Sequence, residues 1–190
     1  RNLKIEISGD FFVALAGNGN SEPKLRIEAL RGLSSQKHPE LNSLLSTALA
    51  APQVEVRIVA LQLLAKSDSQ AALNAVISLL KKTEAPTREK QAAISLLSED
   101  LASPNGDALL KSQLTDFETL PTALKLDLID AAKLRKLAAP AADFSHTLEG
   151  GDRARGEDLF NNHLAAQCIR CHKVKDGKGS DIGPNLKDIG

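Results

Sequence analysis

The chain has 190 residues, with 24 Lys plus Arg against 24 Asp plus Glu, so its formal net charge is zero. No overall field therefore favours nucleic acid or an anionic membrane surface. Hydrophobic residues at 42% suffice for a core and exclude a wholly disordered chain, while no apolar run approaches the roughly 20 residues of a membrane-spanning helix. Trp and Tyr are absent and there are five Phe, so the core must come from Leu, Ala, Ile and Val, a composition suited to Ala- and Leu-rich helices. The lack of any Met is expected of a processed chain or of part of a longer one. The opening Arg1-Asn2-Leu3-Lys4 carries no signal-peptide pattern.

Residues 1–19 read as an N-terminal segment, the tail of a preceding domain, with Leu3–Ile7 alternating as a short strand would. From residue 20 to 137 the chain repeats. Lys24–Leu30, Glu55–Leu61, Arg88–Ile94 and, more loosely, Ala123–Ile129 align, with a basic residue at 26, 57, 90 and 125 and a small or apolar one at 29, 60, 93 and 128. The spacings are 31, 33 and 35 residues, and Pro23, Pro52, Pro86 and Pro121 precede the basic residues by three to five positions. Proline is tolerated in a first helical turn, where its missing N–H has no intrahelical partner, so each unit is predicted to open a helix at the same point. Second helices are predicted over Glu40–Ala50, Gln70–Lys81 and Asp107–Phe117, where Leu, Ile, Val and Phe recur at helical spacing. Turns are predicted at Ser67-Asp68-Ser69 and Ser103-Pro104-Asn105-Gly106.

These units resemble HEAT-like helical repeats, best in Pro52–Leu61. They are shorter than the standard unit and lack the Trp and Tyr of tetratricopeptide units and the Thr-Pro-Leu-His of ankyrin repeats. The resemblance implies an all-α solenoid of helical hairpins, used as a scaffold or docking surface. No catalytic constellation stands in residues 1–145. His38 reads as a solvated turn residue, and Lys81-Lys82 and Lys133–Lys136 as helix ends.

Residues 138–150 (Ala138-Ala139-Pro140-Ala141-Ala142 through Gly150) read as a linker. A new helix, Asp152–Leu164, then starts with Asp152 as its N-cap. Basic and acidic residues number 17 and 18 before residue 151 and 7 and 6 after it, so neither part is polarised.

Cys168-Ile169-Arg170-Cys171-His172 is C-x-x-C-H, the pattern for covalent attachment of a c-type haem. Two thiols three positions apart can each add to one vinyl group on a haem edge, and the following imidazole can then reach the iron. A zinc site from Cys168, Cys171 and His163 lacks a fourth ligand. A thioredoxin-like pair would want a βαβ context. A plain disulfide also remains open to these cysteines.

Gly151–Phe160 upstream and Gly183-Pro184-Asn185-Leu186 downstream make residues 151–190 resemble the first half of a class I cytochrome c domain. The resemblance implies a haem c cofactor bound through Cys168 and Cys171, with His172 as the proximal iron ligand. It implies that the Pro184 carbonyl orients His172 and that Phe160 packs beside the haem. The family's distal Met is absent, leaving the distal ligand open, with His163 and His146 the nearby histidines. Repeats followed by such a module resemble haem-binding multidomain proteins of planctomycete and verrucomicrobial type, in which a β-propeller precedes HEAT-like repeats. That likeness implies an exported, periplasmic protein and electron relay from an upstream dehydrogenase domain or a redox partner protein. Lys173, Lys175 and Lys178 are candidates for steering an acidic partner. The expected fold is thus all-α, a helical-hairpin solenoid followed by an incomplete cytochrome c-like module.

Overall fold

A proline opens or caps three of the four first helices, and one residue separates it from the fourth. In the computed structural model, which describes residues 8–141, 151–163, 165–174 and 177–186, the helices are α1 (Gly9–Gly17), α2 (Pro23–Ser35), α3 (Leu41–Ala48), α4 (Val54–Ser67), α5 (Ser69–Leu80), α6 (Thr87–Ser98), α7 (Pro104–Thr115), α8 (Thr122–Leu134) and α9 (Arg153–Asn162), with 3-10 turns at Phe117–Thr119 and Cys168–Arg170. Pro23 is the first residue of α2, and Pro86 and Pro121 are the N-caps of α6 and α8. The chain divides into two compact units, residues 1–149 and 150–190.

In the first unit α2, α4, α6 and α8 pack in series. The second helices α3, α5 and α7 bridge successive members of that row. The repeat positions explain the stacking. Ala29, Ala60, Ala93 and Leu128 are all 0% exposed, so each first helix meets its neighbours at its small or apolar point. The basic residue three positions earlier turns back to a carbonyl in the chain just before its helix. Arg26 Nε donates to Ala16 O, Arg57 Nη1 to Ala51 O and Pro52 O, Lys90 Nζ to Thr83 O, and Lys125 Nζ to Glu118 O. Those carbonyls lie at the ends of preceding elements or in the connections after them, where backbone acceptors lack helical partners. The periodic cation thus holds each connection against the next helix.

Charges also link the units. Arg57 Nη2 donates to Glu89 at 2.7 Å, and Arg88 Nη1 to Glu55 at 2.9 Å. Gln91 Nε2 donates to both Ala123 O and Asp127 Oδ2 at 3.0 Å. The hydrogen bond to Glu89 raises the pKa of Arg57 above the ordinary guanidinium value. Burial pushes the Asp127 carboxyl up, partly offset by the Gln91 bond.

Several boundaries differ from those expected. Residues 9–17, inside the segment set apart as 1–19, form a helix that packs on α2 and α3 and buries Ala16. The Ser103–Gly106 turn is instead the start of α7, because Ser103 Oγ accepts from Gly106 N and Pro104 suits the first helical position. Phe117 leaves that helix for the 3-10 turn. Asp68 alone breaks α4 from α5, and its Oδ1 accepts from Ala71 N. Leu3–Ile7 and residues 142–150 of the linker lie outside the described residues. Among the described residues no helix is long and apolar enough to cross a membrane.

The second unit differs in kind. Asp152 caps α9 through Arg155 N, as expected. Yet none of its described residues is buried, and Leu159 and Ile182 are 44% and 83% exposed.

Candidate functional site

Gln167, at φ 46°, turns the chain sharply after α9 and starts the 3-10 turn. Arg170 N donates to Gln167 O, and Cys171 N and His172 N both donate to Cys168 O, at 3.2 and 3.0 Å. One turn of backbone therefore carries both thiols and delivers His172 directly after them. Both cysteines are free, and α9 packs on this turn. Phe160, on α9, is half-buried.

The chain then runs out and returns. Val174 N donates to Lys178 O, Gly183 N to Cys171 O, and Leu186 N to Lys173 O. Lys173 Nζ holds both carboxylate oxygens of Asp181, at 3.1 and 3.2 Å. The returning segment brings Pro184 O to 3.0 Å from His172 Nδ1. A carbonyl oxygen can only accept, so Nδ1 carries a proton, and in the neutral ring Nε2 keeps its lone pair. Gly183 makes this approach possible. A Cβ there would lie 2.7 Å from Cys171 O and 3.1 Å from both Cε1 and Nδ1 of the ring.

Cys168, Cys171, His172 and Pro184 thus share one local frame: the thiols sit on its turn, the imidazole follows, and the carbonyl fixes the imidazole's tautomer. The donor set suits a haem c. It offers two free thiols at the required spacing, an imidazole whose Nε2 makes no bond to Pro184, and the exposed apolar side chains of Leu159 and Ile182. His163 caps α9, and its Nδ1 accepts from Ala166 N at 3.1 Å; His146 and Lys175 lie outside the described residues. Lys173, a candidate for steering a partner, is paired with Asp181. Among the described residues no group of three or more His, Cys, Asp or Glu could hold a metal ion, so the zinc alternative gains no support.

Sequence reasoning missed Asp181 and Gly179. The density of glycine at 177, 179 and 183 was the available signal, since such a run marks backbone in unusual conformations or close approach. In the helical unit, the basic repeat positions were read only as alignment marks, and their carbonyl partners became visible in three dimensions.

Comparison with known proteins bears on the first unit. Residues 10–97 match the HEAT-repeat family. No curated protein and no solved structure matches the chain, and the cytochrome c-like part of the expected fold has no support from these comparisons. Residues 10–97, within the helical first unit, are HEAT repeats.

Proposed function

We propose that the HEAT-repeat unit is a protein-interaction scaffold and that residues 150–190 form an electron-transfer module carrying covalent haem c. The observation that carries the second part is the 3.0 Å hydrogen bond between His172 Nδ1 and Pro184 O. It leaves Nε2 free, fixes the ring orientation and raises the basicity of the imidazole as a ligand. The thiols of Cys168 and Cys171 would each add across a vinyl double bond, sulfur to one carbon and hydrogen to the other, with no leaving group. His172 would hold the iron from the proximal side, and Leu159 and Ile182 would cover apolar edge. When bound, the haem supplies a one-electron acceptor and donor whose potential the surrounding residues tune. An upstream dehydrogenase domain or a redox partner protein would supply the electrons. Covalent haem attachment carries with it export to the periplasm.

The second reading is a HEAT scaffold that acts without haem. It is favoured by the family match, which lies wholly within the helical unit and stops at residue 97. One experiment separates the two. Full-length chain produced with c-type maturation machinery is expected to keep its haem through denaturing electrophoresis, and Cys168→Ala with Cys171→Ala to lose it. A colourless wild-type product from competent cells would leave the scaffold alone standing.

A further inference from the structure

We infer that Gly179, outside every motif in the sequence, is a positioning residue that sets the His172 imidazole through close backbone contact. As a statement about a haem ligand, this rests on haem attachment at Cys168 and Cys171. Gly179 adopts φ 104°, a conformation that side-chain-bearing residues rarely enter. A Cβ there would fall far inside contact distance of the His172 carbonyl oxygen, 3.0 Å from its carbonyl carbon and 3.1 Å from Lys173 Cα. All three atoms are backbone, so no flexible side chain can move aside. The loop would have to lift away from His172.

That loop is what delivers Pro184. Asp181 anchors it to Lys173, and Gly183 seats it against the ring. Moving residue 179 off His172 pulls on the segment whose carbonyl holds Nδ1, only five residues later. Gly177 is the natural control. It too has positive φ, 72°, but nothing lies within 4 Å of its would-be Cβ. A side chain at 177 strains the loop without pushing on His172, whereas one at 179 does both.

The test compares wild type, Gly179→Ala and Gly177→Ala as full-length chains. The first readout needs no haem. Long-range 1H–15N NMR, at a pH where the ring is neutral, reports which nitrogen of His172 carries the proton. Wild type and Gly177→Ala are expected to show the Nδ1–H form. Gly179→Ala is expected to lose it to a mixture rich in Nε2–H, with unchanged helical circular dichroism from the HEAT unit. The second readout is the reduction potential of haem-loaded protein, expected to shift upward in Gly179→Ala relative to Gly177→Ala, because a weaker donor stabilises ferric iron less. Retention of the Nδ1–H form by Gly179→Ala would overturn the proposal. So would its loss in Gly177→Ala, whose added Cβ meets nothing within 4 Å and whose effect would make general loop integrity the determinant. Wild type that takes up no haem would defeat the electron-transfer reading while leaving the tautomer comparison intact.

Discussion

The two units hold their shape by opposite means. In the HEAT unit, Leu30, Leu33, Leu45, Leu97, Leu110 and Leu128 lie at 0% exposure, and removal of apolar surface from water is the main stabilising term. In residues 150–190 no described side chain is buried, and the order comes from backbone hydrogen bonds converging on Cys168–Lys173. Net hydrogen bonds contribute only about 1 kcal/mol each, so such a frame by itself is marginal. The contrast teaches that the first unit is held by its own apolar core, whereas the described residues of the second are held by backbone hydrogen bonds.

The sharpest way to break this contrast is to remove core atoms from each side. Leu97→Ala is expected to cost about 2–5 kcal/mol in chemical denaturation followed by helical circular dichroism. Leu159→Ala, on an exposed position, should stay within about 0.5 kcal/mol in haem-free protein. Equal losses would mean that the second unit has a core after all.

The next effect concerns how the stack is cross-linked. Glu89 is 8% exposed and takes three bonds from two nitrogens of Arg57. Glu89→Ala leaves that guanidinium partly unpaired and should cost about 1–3 kcal/mol. A double-mutant cycle with Arg57→Ala should show strong coupling, and its absence would mean that the two residues act independently.

Removing a cap is a smaller change. Ser103→Ala frees Gly106 N and should cost about 1 kcal/mol, measured as a shifted denaturation midpoint. An unshifted midpoint would make Pro104 alone sufficient to start α7.

The smallest effects are in pH dependence, and two carboxylates should act oppositely. The Arg135 guanidinium holds Asp107 below the usual carboxylate range. Its stabilisation is therefore present above the unfolded pKa and lost as pH falls through the lowered folded value. Burial raises Asp127, so its contribution is greatest below the unfolded pKa and declines as pH rises through the raised folded value. Asp127→Asn should remove that decline and make the HEAT unit slightly more stable at neutral pH, read as melting temperature against pH. A variant less stable than wild type at neutral pH would show that the Gln91 bond outweighs desolvation.

Local chemistry was legible in the residues themselves. Proline before each basic residue marked the first helices, the 3.6-residue recurrence of Leu marked α3 and α5, and Asp152 marked the cap of α9. C-x-x-C-H with a later Gly-Pro marked the site, since those features depend on neighbours a few positions apart. The start of α7 was misread because Ser-Pro-Asn-Gly suits a turn and a capped helix start equally, and the rest of the helix tips that balance. Helix α1 was missed because Phe11 and Phe12 show no clear stripe until α2 and α3 stand beside them.

Composition, period and spacing by themselves determined that this chain is helical, repetitive and equipped with two thiols and a histidine in one turn, because each is a short-range property. Only the tertiary structure decided that Arg26, Arg57, Lys90 and Lys125 lock the connections, that Asp181 ties down a loop, and that Gly179 must have no side chain. Those facts depend on which groups meet across 6 to 10 residues of separation, and chain geometry alone supplies that.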